Sequence, residues 1–330
     1  MKRFTDRRKL VQKQSPAIPH APSGNVMLGI WMKILSVVCF VVMYSFLKSA
    51  KGIPAGELSF FRSFFGIVPI ILWVMSLKQL KTVLYTKNLT GHVFRGMFGT
   101  FSMLFSFYAL TLLPLPETVA IGYGEPLILV VLCAIFLHEK VYFYRWSAVI
   151  VGLIGVLIIV WPRLTILGTA NADVSASIGA LSALGAAIMA AIAMLLVRKL
   201  VFTEKTTTIT LYFMITSSII SLITVPFGWV VPDFYQASML VLAGLFGGIA
   251  QIFMTQAYRH AEPSTVAPFE YTSMLLSLLS GYFVFDEIPT IAMLFGACLV
   301  IGSGIFIILR ESHVIGKNHT RHRALFHKHR

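Results

Sequence analysis

Of 330 residues, 57% are hydrophobic and only 12% charged, too little polar surface to cover a globule in water, so a soluble enzyme or soluble binding domain is excluded. The formal net charge of +14 would suit nucleic acid if Lys and Arg gathered on one folded face, but they are spaced between apolar runs, and no nucleic-acid partner is expected. The solvent for most of the chain is lipid.

A bilayer core takes about 20 apolar residues as helix, and ten runs of about that length follow a basic N-terminal tail at 1–25. They are Val26 to Phe46, Leu58 to Leu77, His92 to Leu113, Glu117 to Leu137 and Trp146 to Val160, then Ala176 to Val197, Ile209 to Val230, Leu240 to Tyr258, Val266 to Phe285 and Ile291 to Leu309. A linker at 163–175 separates a first five-helix unit, 26–162, from a second, 176–310, and a second basic tail occupies 311–330. The runs are continuously apolar, whereas barrel strands alternate and are about ten residues long. The fold class predicted is an all-α integral membrane protein with ten transmembrane helices.

Charge sets the orientation. With the N-terminus in the cytoplasm, 21 of the 27 Lys and Arg fall on inward segments, while Lys48, Lys51 and Arg163 lie outward and Lys33, Arg62 and Arg95 lie within helices. That positive-inside bias predicts a multi-pass inner-membrane protein with both termini cytoplasmic. Trp31, Trp73, Trp146, Trp161 and Trp229 fall near run ends, at headgroup level. The first run follows a basic stretch but lacks a small-x-small cleavage site, so it reads as a retained helix. Cys39, Cys133 and Cys298 sit in separate runs with no paired or metal spacing. No metal or cofactor is expected.

An offset of 148 residues (244 minus 96) superposes Gly96 on Gly244, Phe98 on Phe246, Gly99 on Gly247, Phe105 on Phe253 and Ala109 on Ala257. The same offset places Tyr123 on Tyr271, Leu127 on Leu275 and Glu139 on Glu287. A duplicated unit of five spans begins its second copy on the opposite side of the membrane, so the two repeats are inverted. Inverted halves provide two energetically similar arrangements, open inward or outward, around a site at their interface. Gly244 and Gly248 form a GxxxG pair suited to close helix packing.

These residues resemble the drug/metabolite transporter superfamily, in its members built from two EamA-type repeats. The resemblance spans about Val26 to Arg310 and rests on Phe60-Phe61-Arg62-Ser63 and on an aromatic position followed by an apolar run ending in Glu in each half. The first copy reads Tyr123-Gly124-Glu125-Pro126-Leu127 to Glu139, and the second Phe269-Glu270-Tyr271-Thr272-Ser273 to Glu287. The second copy departs from the pattern, with Met274 aligned to Pro126 and a proline earlier, at Pro268. Ala267 to Ser273 with Asp286-Glu287-Ile288-Pro289 is similar to both the riboflavin-uptake and the S-adenosylmethionine-uptake branches. The resemblance implies a secondary transporter of a small-molecule metabolite, with riboflavin or another aromatic or heterocyclic compound expected first and S-adenosylmethionine or an amino-acid carrier or exporter as the alternative.

Ionisable groups at mid-membrane cost roughly 2.5 to 3.5 kcal/mol on insertion scales, so each needs a partner, water or a function. Glu125 is about 13 Å into its helix at 1.5 Å per residue, Arg62 is about 9 Å down the second, and Glu270 enters from the other side at shallower depth. Glu57 lies about 140° around the helix from Arg62 and cannot pair with it locally. The substrate-binding candidates are therefore Arg62, Glu125 and Glu270, with Tyr123 and Tyr271 as stacking or hydrogen-bonding groups for a planar ring. A fixed interhelical ion pair, or an arginine snorkelling to the interface, is the competing reading. Lys33 reads as a snorkelling residue near the inner face, and Glu139 and Glu287 as helix-end groups. Pro126 cannot donate to the Gly122 carbonyl, so a kink is expected there.

A membrane-embedded enzyme would need a convergent set such as HExxH or Ser with His, and none is present. A pore-forming channel is the other class, against which the repeat argues. Without a GxxxxGK[ST] loop, ATP does not drive transport within this chain. Anionic lipid is the partner expected for the basic tails, and a homodimer is compatible with the sequence.

Overall fold

The computed structural model describes residues 26–136, 143–165, 174–200, 203–260, 267–306 and 309–310. Among them all regular structure is helical. The elements are α1 (Val26–Ser49), α2 (Ala55–Ser76), α3 (Leu89–Leu112), α4 (Leu115–Gly122), α5 (Gly124–Phe136), α6 (Phe143–Thr165), α7 (Val174–Leu200), α8 (Thr206–Leu222), α9 (Phe234–His260), α10 (Thr272–Phe285) and α11 (Ile291–Phe306). Single 3-10 turns cover Val225–Phe227 and Ala267–Tyr271.

Among the described residues, six stretches are long and apolar enough to cross a membrane: Met27–Ser49, Ala55–Ser76, Leu89–Leu112, Leu115–Phe136, Val174–Val197 and Phe234–Ala257. Shorter apolar helices occupy the fifth, seventh and tenth expected runs, and the ninth is a 14-residue helix preceded by a 3-10 turn. Six full-length candidate spans and shorter apolar helices among the described residues fit the all-helical membrane class without establishing a count of ten. The fourth run is also divided, because Pro126 has no N–H for the Gly122 carbonyl. Helix α4 stops with Tyr123 as its C-cap (φ −66°, ψ −5°), and α5 restarts at Gly124.

The offset found in the sequence recurs in the element bounds. Helices α5 and α10 start 148 residues apart, at Gly124 and Thr272. Helices α3 and α9 end at Leu112 and His260, and α6 and α11 start at Phe143 and Ile291.

The principal packing partners cross between the halves. Helix α1 lies along α9 and, in the equivalent pairing, α7 lies along α3; α2 contacts both α8 and α9, and α10 packs on α1 and α4. Small residues permit these approaches, since in lipid the attraction is close packing rather than water exclusion. A Cβ on Gly248 would stand 2.6 Å from the Gly66 carbonyl oxygen, and one on Gly244 would stand 2.8 Å from that of Phe61. The GxxxG pair therefore forms the α2–α9 crossing. Apolar side chains also face outward, as a hydrocarbon solvent allows: Trp31, Leu72, Ile154, Leu157 and Trp161 are all exposed.

Polar ties hold one end of the bundle. Glu204, in the segment between α7 and α8, accepts from Thr86 Oγ1 at 2.7 Å and from the Lys87 N–H at 3.2 Å. Tyr212 donates to the Leu84 carbonyl at 2.9 Å and stacks on His92 with centroids 4.7 Å apart. The Thr86 hydroxyl leads the effects that hold the Glu204 carboxyl below its usual range, with the Lys87 N–H and the nearby His92 adding to it.

A pH dependence follows. The Glu204 pKa in the folded chain lies below its unfolded value, so its stabilisation is fully present above about pH 4.3 and fades as pH falls through the folded value. In detergent, Glu204→Gln should lower the midpoint of thermal unfolding at pH 7, and the gap to wild type should close as pH drops below about 4. An equal gap at both pH values would assign the loss to something other than this carboxylate.

Candidate functional site

The breaks at Tyr123 and Tyr271 bring the middle of the two fourth segments together. The Tyr123 hydroxyl hydrogen-bonds with Ser273 Oγ, and its ring meets Tyr271 edge-on with centroids 5.3 Å apart. Tyr271 is the N-cap of α10, as Tyr123 is the C-cap of α4. The Tyr271 hydroxyl lies against Gly304 of α11, where any side chain would displace it.

Glu125 stands in the first turn of α5, within electrostatic reach of Glu270 and Lys33. Lys33 corrects the sequence expectation. It does not snorkel to an interface; its side chain is 1% exposed and its ammonium pairs with Glu270 Oε2 at 3.2 Å. Glu270, in the 3-10 turn, remains 52% exposed. The pair therefore ties the first helix of one half to the broken fourth segment of the other.

Arg62 is buried at 4% exposure in α2. Its Nη1 donates to Met214 Sδ at 3.3 Å, a weak acceptor, and its guanidinium lies 5.6 Å from the Phe213 ring centre. Arg95 of α3 sits over the same ring at 3.7 Å. Tyr44 of α1, 3.4 Å from Ser106 Oγ, lies within electrostatic reach of both Arg62 and Glu125. The interior thus carries a row of polar groups running Arg95, Arg62, Tyr44, Glu125, Glu270 and Lys33. Sequence reasoning weighed Arg62, Glu125 and Glu270, set Lys33 near the inner face, noted Arg95 as lying within a helix, and passed over Tyr44, whose signal was its helical register with Lys33 on a buried face.

At the other end of α1, Lys48 pairs with Glu287 Oε1 at 2.6 Å and donates to the Leu113 carbonyl at 2.7 Å. Glu287 Oε2 accepts from the Leu115 N–H at 2.9 Å, so Glu287 has the helix-end pairing expected of it. Ser45 and Ser280 hydrogen-bond at 2.7 Å one turn deeper. These contacts clasp α1, α4 and α10 together. Tyr108 is apart from the charged row and lines a groove of about 570 Å³ with Pro54, Gly56, Thr224 and Trp229. Glu139, the C-terminal tail and the Tyr258 side chain lie outside the described residues.

The described residues form a helical bundle with interlocked halves, apolar enough to span a membrane and charged within. The EamA-like transporter family profile matches residues 27–161 and again 177–310, and the chain belongs to that family, part of the drug/metabolite transporter superfamily. Relatives include the S-adenosylmethionine uptake transporter of Rickettsia conorii, 27% identical over 80% of this chain and 86% of the relative. The pseudopaline exporter CntI of Pseudomonas aeruginosa is 27% identical over 83% of this chain and 93% of its own. The riboflavin transporter of Vibrio cholerae is 26% identical over 90% and 96%. A solved crystal structure, 17% identical, superposes with a TM-score of 0.62 over 87% of this chain and 98% of that one, and so shares its fold.

The Lys33–Glu270 pair predicts unequal single-variant effects. Glu270→Gln leaves a buried ammonium without its carboxylate and should cost about 1–3 kcal/mol of stability. Lys33→Met leaves a half-exposed carboxylate that water can solvate, and should cost less. In thermal unfolding of the purified protein the double variant should fall short of the summed losses, with a coupling of about 0.5 kcal/mol or more. Additive losses would mean the contact is energetically idle.

Proposed function

We propose that the chain is a secondary transporter that carries a small polar metabolite across the inner membrane by alternating access, holding it among Arg62, Tyr123, Glu125, Glu270 and Tyr271. The observation that carries this reading is the charged row in the bundle interior, meeting the paired helix breaks at Tyr123 and Tyr271. Buried charges of this kind in a membrane bundle mark substrate or ion pathways. Broken helices at mid-membrane supply backbone groups to such sites.

Two five-helix repeats, 26–162 and 176–310, run in opposite directions, with the basic tails 1–25 and 311–330 on the cytoplasmic side against anionic headgroups. The Lys48–Glu287 clasp is the outward-facing seal in this arrangement, and its release accompanies the switch to the opposite one. The Tyr123–Tyr271 pair suits a planar heterocycle, and Glu125 with Glu270 suits a cationic group attached to it. Riboflavin offers the first feature and S-adenosylmethionine both, and relatives bear each name.

Uptake into liposomes holding the purified protein tests the reading. Saturable entry of labelled riboflavin or S-adenosylmethionine is expected, and Glu125→Gln and Arg62→Ala should each reduce the initial rate roughly 10- to 100-fold, the equivalent of a lost hydrogen bond to a charged group. Rates unchanged in both folded variants would remove these residues from the site.

A further inference from the structure

Among the Lys and Arg side chains of the interior, two differ from the others in lacking a counter-charge. Lys33 and Lys48 each pair with a carboxylate, whereas neither Arg62 nor Arg95 has one among the described residues. The two guanidiniums press on one ring, that of Phe213, at 5.6 and 3.7 Å, close enough for each to feel the other's charge. Nε of Arg62 and both Nε and Nη1 of Arg95 are buried without an acceptor. An aromatic face attracts a cation but accepts no strong hydrogen bond, so Phe213 leaves these donors unmet.

Glycine lets backbone lie directly against them. A Cβ on Gly247 would stand 3.2 Å from Arg62 Nε, and one on Gly99 would stand 2.8 Å from the Phe213 ring and 3.4 Å from Arg95 Nη1. Gly99 and Gly247 are equivalent positions of the repeat, one in each half. Leaving guanidinium donors unmet and like charges together in a low-dielectric interior is costly unless an anion visits.

We propose that Arg62 and Arg95 form an anion subsite that takes the carboxylate of the transported metabolite, which makes the substrate a carboxylate-bearing molecule. A carboxylate brings one negative charge to the two guanidiniums, whereas a phosphate monoester brings about −1.5 to −2. The planar carboxylate also matches the guanidinium fork. A cationic group on the same molecule then faces Glu125 at the other end of the row, so a zwitterion spans the site. This proposal rests on the transport reading above and adds Arg95 and the chemical class of the substrate to it.

The test uses liposomes holding the full chain and three labelled probes: S-adenosylmethionine, its decarboxylated form, and riboflavin, which has no carboxylate. Wild type should favour S-adenosylmethionine over the decarboxylated form by about 10- to 100-fold in kcat/KM. Arg62→Gln and Arg95→Gln should each reduce that preference to about 3-fold or less, read as the ratio of the two kcat/KM values within one variant, which general structural damage lowers together; Arg95→Lys should retain part of the preference. Equal uptake of the two forms by wild type, a preference intact in both Gln variants, or uptake of riboflavin in place of S-adenosylmethionine would overturn the anion subsite and leave the carrier standing. Flux of none of the three by folded wild type would contradict the carrier reading, and the subsite with it.

Discussion

Charge carried into hydrocarbon is the constraint on which the rest of this molecule depends. An ionised side chain at mid-membrane costs roughly 2.5 to 3.5 kcal/mol on insertion scales, and the polar row in this bundle carries five ionisable ones, Lys33, Arg62, Arg95, Glu125 and Glu270. The helices are arranged so that none of the five faces lipid alone. Lys33 reaches across from one half to Glu270 of the other, and the arginines are laid over Phe213. Glycine crossings let the backbones close around them, as at Gly66 with Gly244 and Gly248. Sheltering charge and interlocking the halves are thus one requirement met by one packing scheme.

The backbone is repeated but the chemistry is not. At the offset of 148 residues, Lys33 corresponds to Leu181, Arg62 to Thr210, Arg95 to Ala243 and Glu125 to Ser273, while Glu270 corresponds to Gly122. Four of the five charges therefore sit in the first half, and the second contributes one. The equivalence of Glu125 and Ser273 is visible in space, since Ser273 bonds Tyr123, two residues before Glu125. In the proposed transport cycle the repeat provides the two arrangements of the helices, and the unequal side chains provide the grip on one kind of molecule.

Much of this was legible in the chain because lipid makes apolar runs and misplaced charges conspicuous. Arg62, Glu125 and Glu270 stood out for that reason, and the break before Glu125 followed from the N–H that Pro126 lacks. The matching break at Tyr271 was harder to read, since Met274 aligns with Pro126 and the proline sits earlier, at Pro268. Lys33 was misread because hydropathy measures distance from a run's end and not which neighbour waits across a helix interface. The crossing of partners, α1 with α9 and α7 with α3, was also beyond reach, because periodicity marks a buried face without naming what covers it. The run Val266 to Phe285 read as one helix, whereas its described part is a 3-10 turn followed by the 14-residue α10.

The central claim is that the polar interior around Tyr123, Glu125 and Ser273 is a binding site that opens to both sides of the membrane in turn. The direct measurement replaces Cys39, Cys133 and Cys298 with Ala, introduces Ser273→Cys, and applies a membrane-impermeant thiol reagent from each side of oriented vesicles. Labelling from both sides, slowed from both by the transported metabolite, is the result the claim predicts. Labelling from neither side, or from one side only and indifferent to every metabolite that the protein moves, would make the row of charges a fixed structural core and contradict it.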